Sequence, residues 1–202
     1  MNIRLVLAFL CLIRTAASIA ADLPGDSLYR LDIPLQTAEG TTVALSSLGG
    51  RPLLVTLFYS QCSSVCPMLT AQLQDIDRQL SPEARRGITV LMVSLDATHD
   101  TPTALRAFKQ EHHIDDPRWI VARAGAADVR LLAAALGVRY RELPDHTFNH
   151  SSVVTLTDRD GVIKARTTLG LQGADARFMQ SAQSIGAAAA TPAGDGRPPP
   201  PQ

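Results

Sequence analysis

Two uninterrupted apolar runs, residues 52–59 and 88–95, constrain this chain more than any other feature in it. The first is rich in Leu, Val, Thr, Phe and Tyr and has the length of a buried strand. The second, Ile88-Thr89-Val90-Leu91-Met92-Val93-Ser94-Leu95, lacks the alternation of a strand with one wet face, so it is expected to be covered on both sides. Between them Met68, Leu69, Leu73, Ile76 and Leu80 recur at helical spacing. Strand, helix and buried strand in that order point to an α/β architecture. A chain of 202 residues with 46% hydrophobic content suits one domain with a substantial core.

The rest of the chain extends this plan. Leu31-Asp32-Ile33-Pro34-Leu35 and Thr41-Thr42-Val43-Ala44-Leu45 flank Glu39-Gly40 and predict an N-terminal hairpin. The helix after residue 67 is expected to end at Ser81-Pro82, and Thr101-Pro102 to open another through about Gln110, with Thr101 or Asp100 as its cap. Trp119-Ile120-Val121 reads as a short strand, and residues 126–136 as a helix closed by Gly137. A last hairpin is expected from residues 151–156 and 162–167 around the turn at Asp158-Arg159-Asp160-Gly161, followed by an amphipathic helix over residues 174–185. From about residue 187 the chain is rich in Ala, Gly and Pro, which predicts a disordered tail.

The junction between the first run and its helix carries the chemistry. Cys62-Ser63-Ser64-Val65-Cys66-Pro67 places two thiols four positions apart. Proline fits the first helical position and disfavours helical geometry in the residue before it, so Cys66 is expected to be the N-cap. Unpaired amides and the positive end of the helix dipole there favour thiolate, which is both the nucleophile and the metal ligand. Such a pair can exchange disulfides or clamp a soft ion such as Cu(I). An inert structural bridge is the bland reading, disfavoured because so short a loop gains little chain-entropy stabilisation.

The first twenty residues read as a secretory signal. Arg4 gives a positive start, residues 5–13 an apolar run, and Ser18-Ile19-Ala20 the small residues needed for cleavage. Arg14 interrupts the run well short of the ~20 apolar residues that span a bilayer. The expected organisation is therefore a signal over residues 1–20, one domain over 21–186 and the tail over 187–202. Cys11 would leave with the signal, so the mature protein keeps Cys62 and Cys66. The full chain carries 19 basic and 19 acidic residues, and cleavage removes Arg4 and Arg14 but no acid. Neither the balance nor any basic stripe points to nucleic acid. Export places the protein in the periplasm, where thiols oxidise, so a metal-binding pair needs a partner that keeps it reduced.

Strand, thiol loop, helix, strand, helix, hairpin and helix is the order of the thioredoxin fold, here with an added N-terminal hairpin. Three blocks then resemble the Sco/SenC family of copper-handling proteins: Cys62 to Pro67 after Phe58-Tyr59; Val93-Ser94-Leu95-Asp96-Ala97-Thr98-His99-Asp100-Thr101-Pro102; and Phe148-Asn149-His150-Ser151-Ser152. The resemblance covers about residues 29–169. It implies a thioredoxin-like fold and one copper ion held by Cys62, Cys66 and His150, carried as Cu(I), with Cu(II) as a second state. It also implies a role in assembling cytochrome c oxidase, with the oxidase's copper-bearing subunit or another periplasmic copper chaperone as partner, beside a thiol reductant protein. The loop departs from many relatives at Ser60-Gln61 and Ser63-Ser64, and with the expected signal cleaved the chain is expected to lack the uncleaved anchor that many of them carry.

The donor set agrees with this implication. Two thiolates and an imidazole make a soft three-coordinate site, whereas zinc usually takes a fourth ligand. Thioredoxin-like oxidoreductases carry a cis-proline before the strand facing the thiols; here that segment presents His150, and Pro144 lies several residues away. His146, four residues earlier, could share a strand face with His150. His99, His112 and His113 read as solvated, Asp96 and Asp100 as loop and capping residues, and Asp158 to Gly161 as a turn rather than a calcium loop. The leading function is a copper metallochaperone rather than an enzyme, acting as a monomer. The alternative is a thiol–disulfide oxidoreductase in which Cys62 attacks and Cys66 resolves, with His150 dispensable. A peroxidase of the peroxiredoxin kind is disfavoured because Tyr59 stands where its threonine is expected.

Overall fold

The computed structural model describes residues 23–61, 65–170 and 173–191, with backbone alone at 65–67. The expected signal, the thiol of Cys62, the side chain of Cys66 and the far end of the tail lie outside the described residues. In chain order the elements are β1 (Pro34–Thr37), β2 (Thr42–Ala44), β3 (Leu53–Phe58), α1 (Val65–Gln79), α2 (Pro82–Gly87), β4 (Thr89–Ser94), α3 (Pro102–Glu111), β5 (Trp119–Arg123), α4 (Ala126–Leu136), β6 (Tyr140–Glu142), β7 (Phe148–His150), β8 (Val153–Thr157), β9 (Ile163–Thr168) and α5 (Ala176–Ala190).

Seven strands form one sheet in the order β2-β1-β5-β4-β3-β8-β9. β3, β4 and β5 are parallel, and β8 and β9 add antiparallel on the β3 side. Every residue of β3 and β4 is buried, as the unbroken apolar runs require. Leu54 and Phe58 point into a layer with Leu69, Leu73 and Ile76 of α1, Phe108 of α3 and Phe178 of α5. Leu53, Val55 and Leu57 point the other way, against Leu132 and Leu136 of α4 and the N-terminal Leu28, Ile33 and Leu35. The alternation that defines a strand therefore divides two cores. Thr56, the one polar residue of β3, is fully buried and donates its hydroxyl to the Val153 carbonyl at 2.9 Å. The mixed α/β, thioredoxin-like fold expected from the sequence is the fold observed.

Three local expectations are corrected. The first helix begins at Val65, so Cys66 is its second residue rather than its cap. Proline fits there because the first-turn amides have no intrahelical acceptor to lose. Ser81-Pro82 ends α1 but also starts α2, where the Ser81 hydroxyl accepts the Ala84 amide at 3.2 Å and Pro82 supplies the first turn. The last helix continues to Ala190, beyond both Ile185 and the expected start of the tail.

Candidate metal centre

The site is built at the carboxyl ends of β3 and β4, where loops leave a parallel sheet. Phe58 pairs with Ser94, so the two strands end level, and the Leu95 amide donates to the Phe58 carbonyl at 2.7 Å. Tyr59, Ser60 and Gln61 then lead into the thiol loop. Asp100 is fully buried and clamps this exit. Its Oδ2 accepts the Ser60 amide at 3.0 Å, and its carboxylate also receives the hydroxyls of Ser60 and Ser94. Asp100 is thus a tie across 40 residues of chain, while the cap of α3 is Thr101, whose hydroxyl accepts the Ala104 amide at 3.3 Å.

Asp96 organises the neighbouring turn. Its Oδ1 accepts the amides of Thr98 at 2.9 Å and His99 at 2.8 Å, and its Oδ2 lies 2.9 Å from His99 Nδ1. Burial works to raise the Asp96 carboxyl, but the His99 amide and ring and the Thr98 amide outweigh it and hold it below the ordinary carboxylate range.

The hairpin β6–β7 brings the third expected ligand to the same end. Tyr140 pairs with His150 and Glu142 with Phe148. The Tyr59 ring lies 5.3 Å from that of Phe148 and 6.1 Å from the His150 imidazole, at a 75° interplanar angle. His150 is half-buried, and its Nδ1 lies 3.3 Å from the Ser151 carbonyl. In the Nδ1–H tautomer this carbonyl accepts, and Nε2 carries the lone pair a metal needs. Burial pushes the imidazole below its ordinary pKa, only partly offset by the Ser151 carbonyl, which favours the protonated ring.

His150 therefore sits against the residue that leads into the thiol loop, while Cys62 lies outside the described residues and Cys66 is placed by its backbone alone, in the first turn of α1. Among the described residues, which leave out both sulfurs, no three His, Cys, Asp or Glu side chains converge as a metal site. His146 does not share a strand face with His150. It occupies the β6–β7 turn with φ of +62°, which breaks the strand alternation, and its Nδ1 lies 2.9 Å from Glu142 Oε1. His112 closes α3 with its ring 4.4 Å from that of Phe108, and His113 is exposed. The sequence reading missed the clamp by Asp100 and the packing of Tyr59. The aromatic residue beside the cysteines was the available signal for the second.

The SCO1/SenC family model matches residues 26–182. A SCO1 protein homolog of Bacillus subtilis (strain 168) is 27% identical over 84 residues, which span 42% of this chain and 43% of that relative's length. The chain thus aligns with under half of that relative. The copper-bound structure of ScoI from Bradyrhizobium japonicum is similar with a TM-score of 0.62 at 21% identity, covering 78% of this chain and 96% of that one. A SCO1/SenC family lipoprotein of Bacillus anthracis str. Ames gives a TM-score of 0.69 at 16% identity, covering 77% and 94%. At these identities the structural likeness speaks for the fold, and the family match spans most of the chain, including both cysteines and the histidine hairpin. By that match, this chain is a member of the SCO1/SenC family.

Proposed function

We propose that this chain is a periplasmic copper metallochaperone that holds one copper ion through the thiolates of Cys62 and Cys66 and the imidazole of His150, and that it serves assembly of the copper centre of cytochrome c oxidase. The observation that carries the reading is the position of His150, a half-buried imidazole packed against Tyr59 three residues before Cys62. Burial favours the neutral ring, which is the ligating form. Two thiolates and one imidazole suit Cu(I), and three-coordination leaves room for an incoming ligand, so the ion passes to a recipient by ligand exchange. The copper bound by the Bradyrhizobium ScoI and the family resemblance support the same cargo. The partners are the oxidase's copper-bearing subunit, or a second copper chaperone, and a protein that keeps the thiols reduced.

The test is an anaerobic Cu(I) titration of the reduced protein against a competing chelator. One tight equivalent is expected, lost in Cys62→Ser and in Cys66→Ser and weakened in His150→Ala. Weak binding indifferent to His150 refutes the ligand set and favours the oxidoreductase alternative. Fractionation of expressing cells tests the periplasmic location.

A further inference from the structure

Beside the hairpin that carries His150, a cleft of about 310 Å³ opens between the Asp96–His99 turn and the β6–β7 turn. Two histidines face each other across it, their ring centres 6.0 Å apart at an interplanar angle of 57°. Each is held by a carboxylate through the same nitrogen: His99 Nδ1 lies 2.9 Å from Asp96 Oδ2, and His146 Nδ1 lies 2.9 Å from Glu142 Oε1. A carboxylate on Nδ1 fixes that nitrogen as the donor, orients the ring and makes Nε2 the more basic ligand, which is how metal-binding imidazoles are commonly supported. Metal–imidazole bonds of about 2 Å place a shared ion roughly 3 Å from each ring centre, so this separation is one that a single ion spans.

We propose that His99 and His146 form a second cation site, distinct from the Cys62, Cys66 and His150 set, which takes a borderline divalent ion, Cu2+ foremost, through the two Nε2 atoms with water completing the shell. Nitrogen donors select such ions, and among divalent first-row metals Cu2+ binds most strongly. The local charge agrees: Glu142, Asp96 and Asp145 all favour positive charge at His146. Arg130 also lines the cleft and is the one opposing charge among the described residues of its lining. Two protein ligands make the site open and exchangeable, in keeping with the absence of any three-residue cluster among the described residues. His146 stands on the same hairpin as His150, and Phe148 of that hairpin both lines the cleft and packs on Tyr59.

The site is tested in the full-length chain carrying Cys11→Ser, Cys62→Ser and Cys66→Ser, so that no thiol reduces or captures the probe. Cu2+ is titrated against glycine as competitor, with electron paramagnetic resonance reading the nitrogen donors. The expected result is one equivalent with two imidazole nitrogens. Its Kd rises at least tenfold in His99→Gln and in His146→Asn, the latter chosen because asparagine tolerates the left-handed backbone. Glu142→Gln weakens binding about tenfold through loss of ring support, and His150→Ala and His112→Ala leave it unchanged. The two histidine side chains are 47% and 71% exposed, so both variants are expected to keep the fold, which an unchanged unfolding midpoint verifies. Binding indifferent to both histidines, or lost in His150→Ala, overturns the proposal. Because the thiols are absent throughout, the result does not depend on the copper chaperone reading.

Discussion

Replacing Asp100 separates the structural role of its carboxylate from its charge. The side chain is fully buried and accepts three donors: the Ser60 amide, the Ser60 hydroxyl and the Ser94 hydroxyl. In Asp100→Ala the Ser94 hydroxyl, fully buried with its residue, has lost its acceptor, at a cost of about 1–3 kcal/mol. Ser60 is half-buried and recovers part of its hydrogen bonding from water, which adds about 1 kcal/mol. With the small cavity left behind, the total is about 2–5 kcal/mol. Asp100→Asn behaves differently. An amide oxygen in the place of Oδ2 still accepts the Ser60 amide and the Ser94 hydroxyl, and the NH2 group donates to a Ser60 hydroxyl that now accepts. Only the charge assistance is lost, about 1 kcal/mol. Urea unfolding of the metal-free, reduced protein measures both, and hydrogen exchange at the Ser60 amide reports the loop directly. Alanine is expected to lower the urea midpoint by roughly 1–2 M and to release the Ser60 amide. An asparagine variant as unstable as the alanine one, or an alanine variant within 1 kcal/mol of wild type, refutes the clamp.

Asp77 is 2% exposed at its side chain and pairs with Arg118 at 3.0 Å and Arg85 at 2.7 Å, while Arg118 keeps Asp116 at 2.7 Å, so Asp77→Ala removes charge-assisted hydrogen bonds from a largely buried guanidinium without stranding it and is expected to cost about 1.5–3 kcal/mol in urea unfolding. A loss under 1 kcal/mol shows that the pair is dispensable. Gly87 and Gly186 let α2 and α5 touch: a Cβ on Gly87 falls 2.0 Å from the Gly186 carbonyl oxygen, and one on Gly186 falls 2.5 Å from that of Ala84. Either alanine substitution is expected to destabilise by about 1–3 kcal/mol, and unchanged chemical denaturation disproves the close crossing. For His150, the pKa depressed by burial means that the unfolded chain binds more protons between the folded value and about 6.5. Stability of the apo protein therefore rises with pH through that window and falls on acidification. His150→Ala is expected to flatten this part of the profile, and an identical profile in the variant removes His150 as its source.

Features decided within a turn or two of chain were legible in the amino acids. Helix α4 occupies the expected residues because Gly137, at φ of +72°, closes it, and α3 starts where Thr101-Pro102 places a cap and a preformed first turn. β3 and β4 followed from unbroken apolar runs, and α1 from its helical spacing, although the proline after Cys66 placed its start two residues late. Membership of the family was legible too, from three short blocks in order. Features joining distant segments were not. β6 and β7 have three residues each, too few for a period to show, yet they carry His150 to Tyr59. The N-terminal hairpin was expected, but its docking on the sheet edge through Gln36 opposite Arg123 was not. The tie from Asp100 to Ser60, the meeting of His99 with His146, and the contact of Gly87 with Gly186 each depend on which surfaces the folded sheet brings together. Local backbone preference and periodicity are written residue by residue, whereas a partner 40 or 100 positions away becomes a neighbour only when burying both cores selects one arrangement of the sheet and its helices.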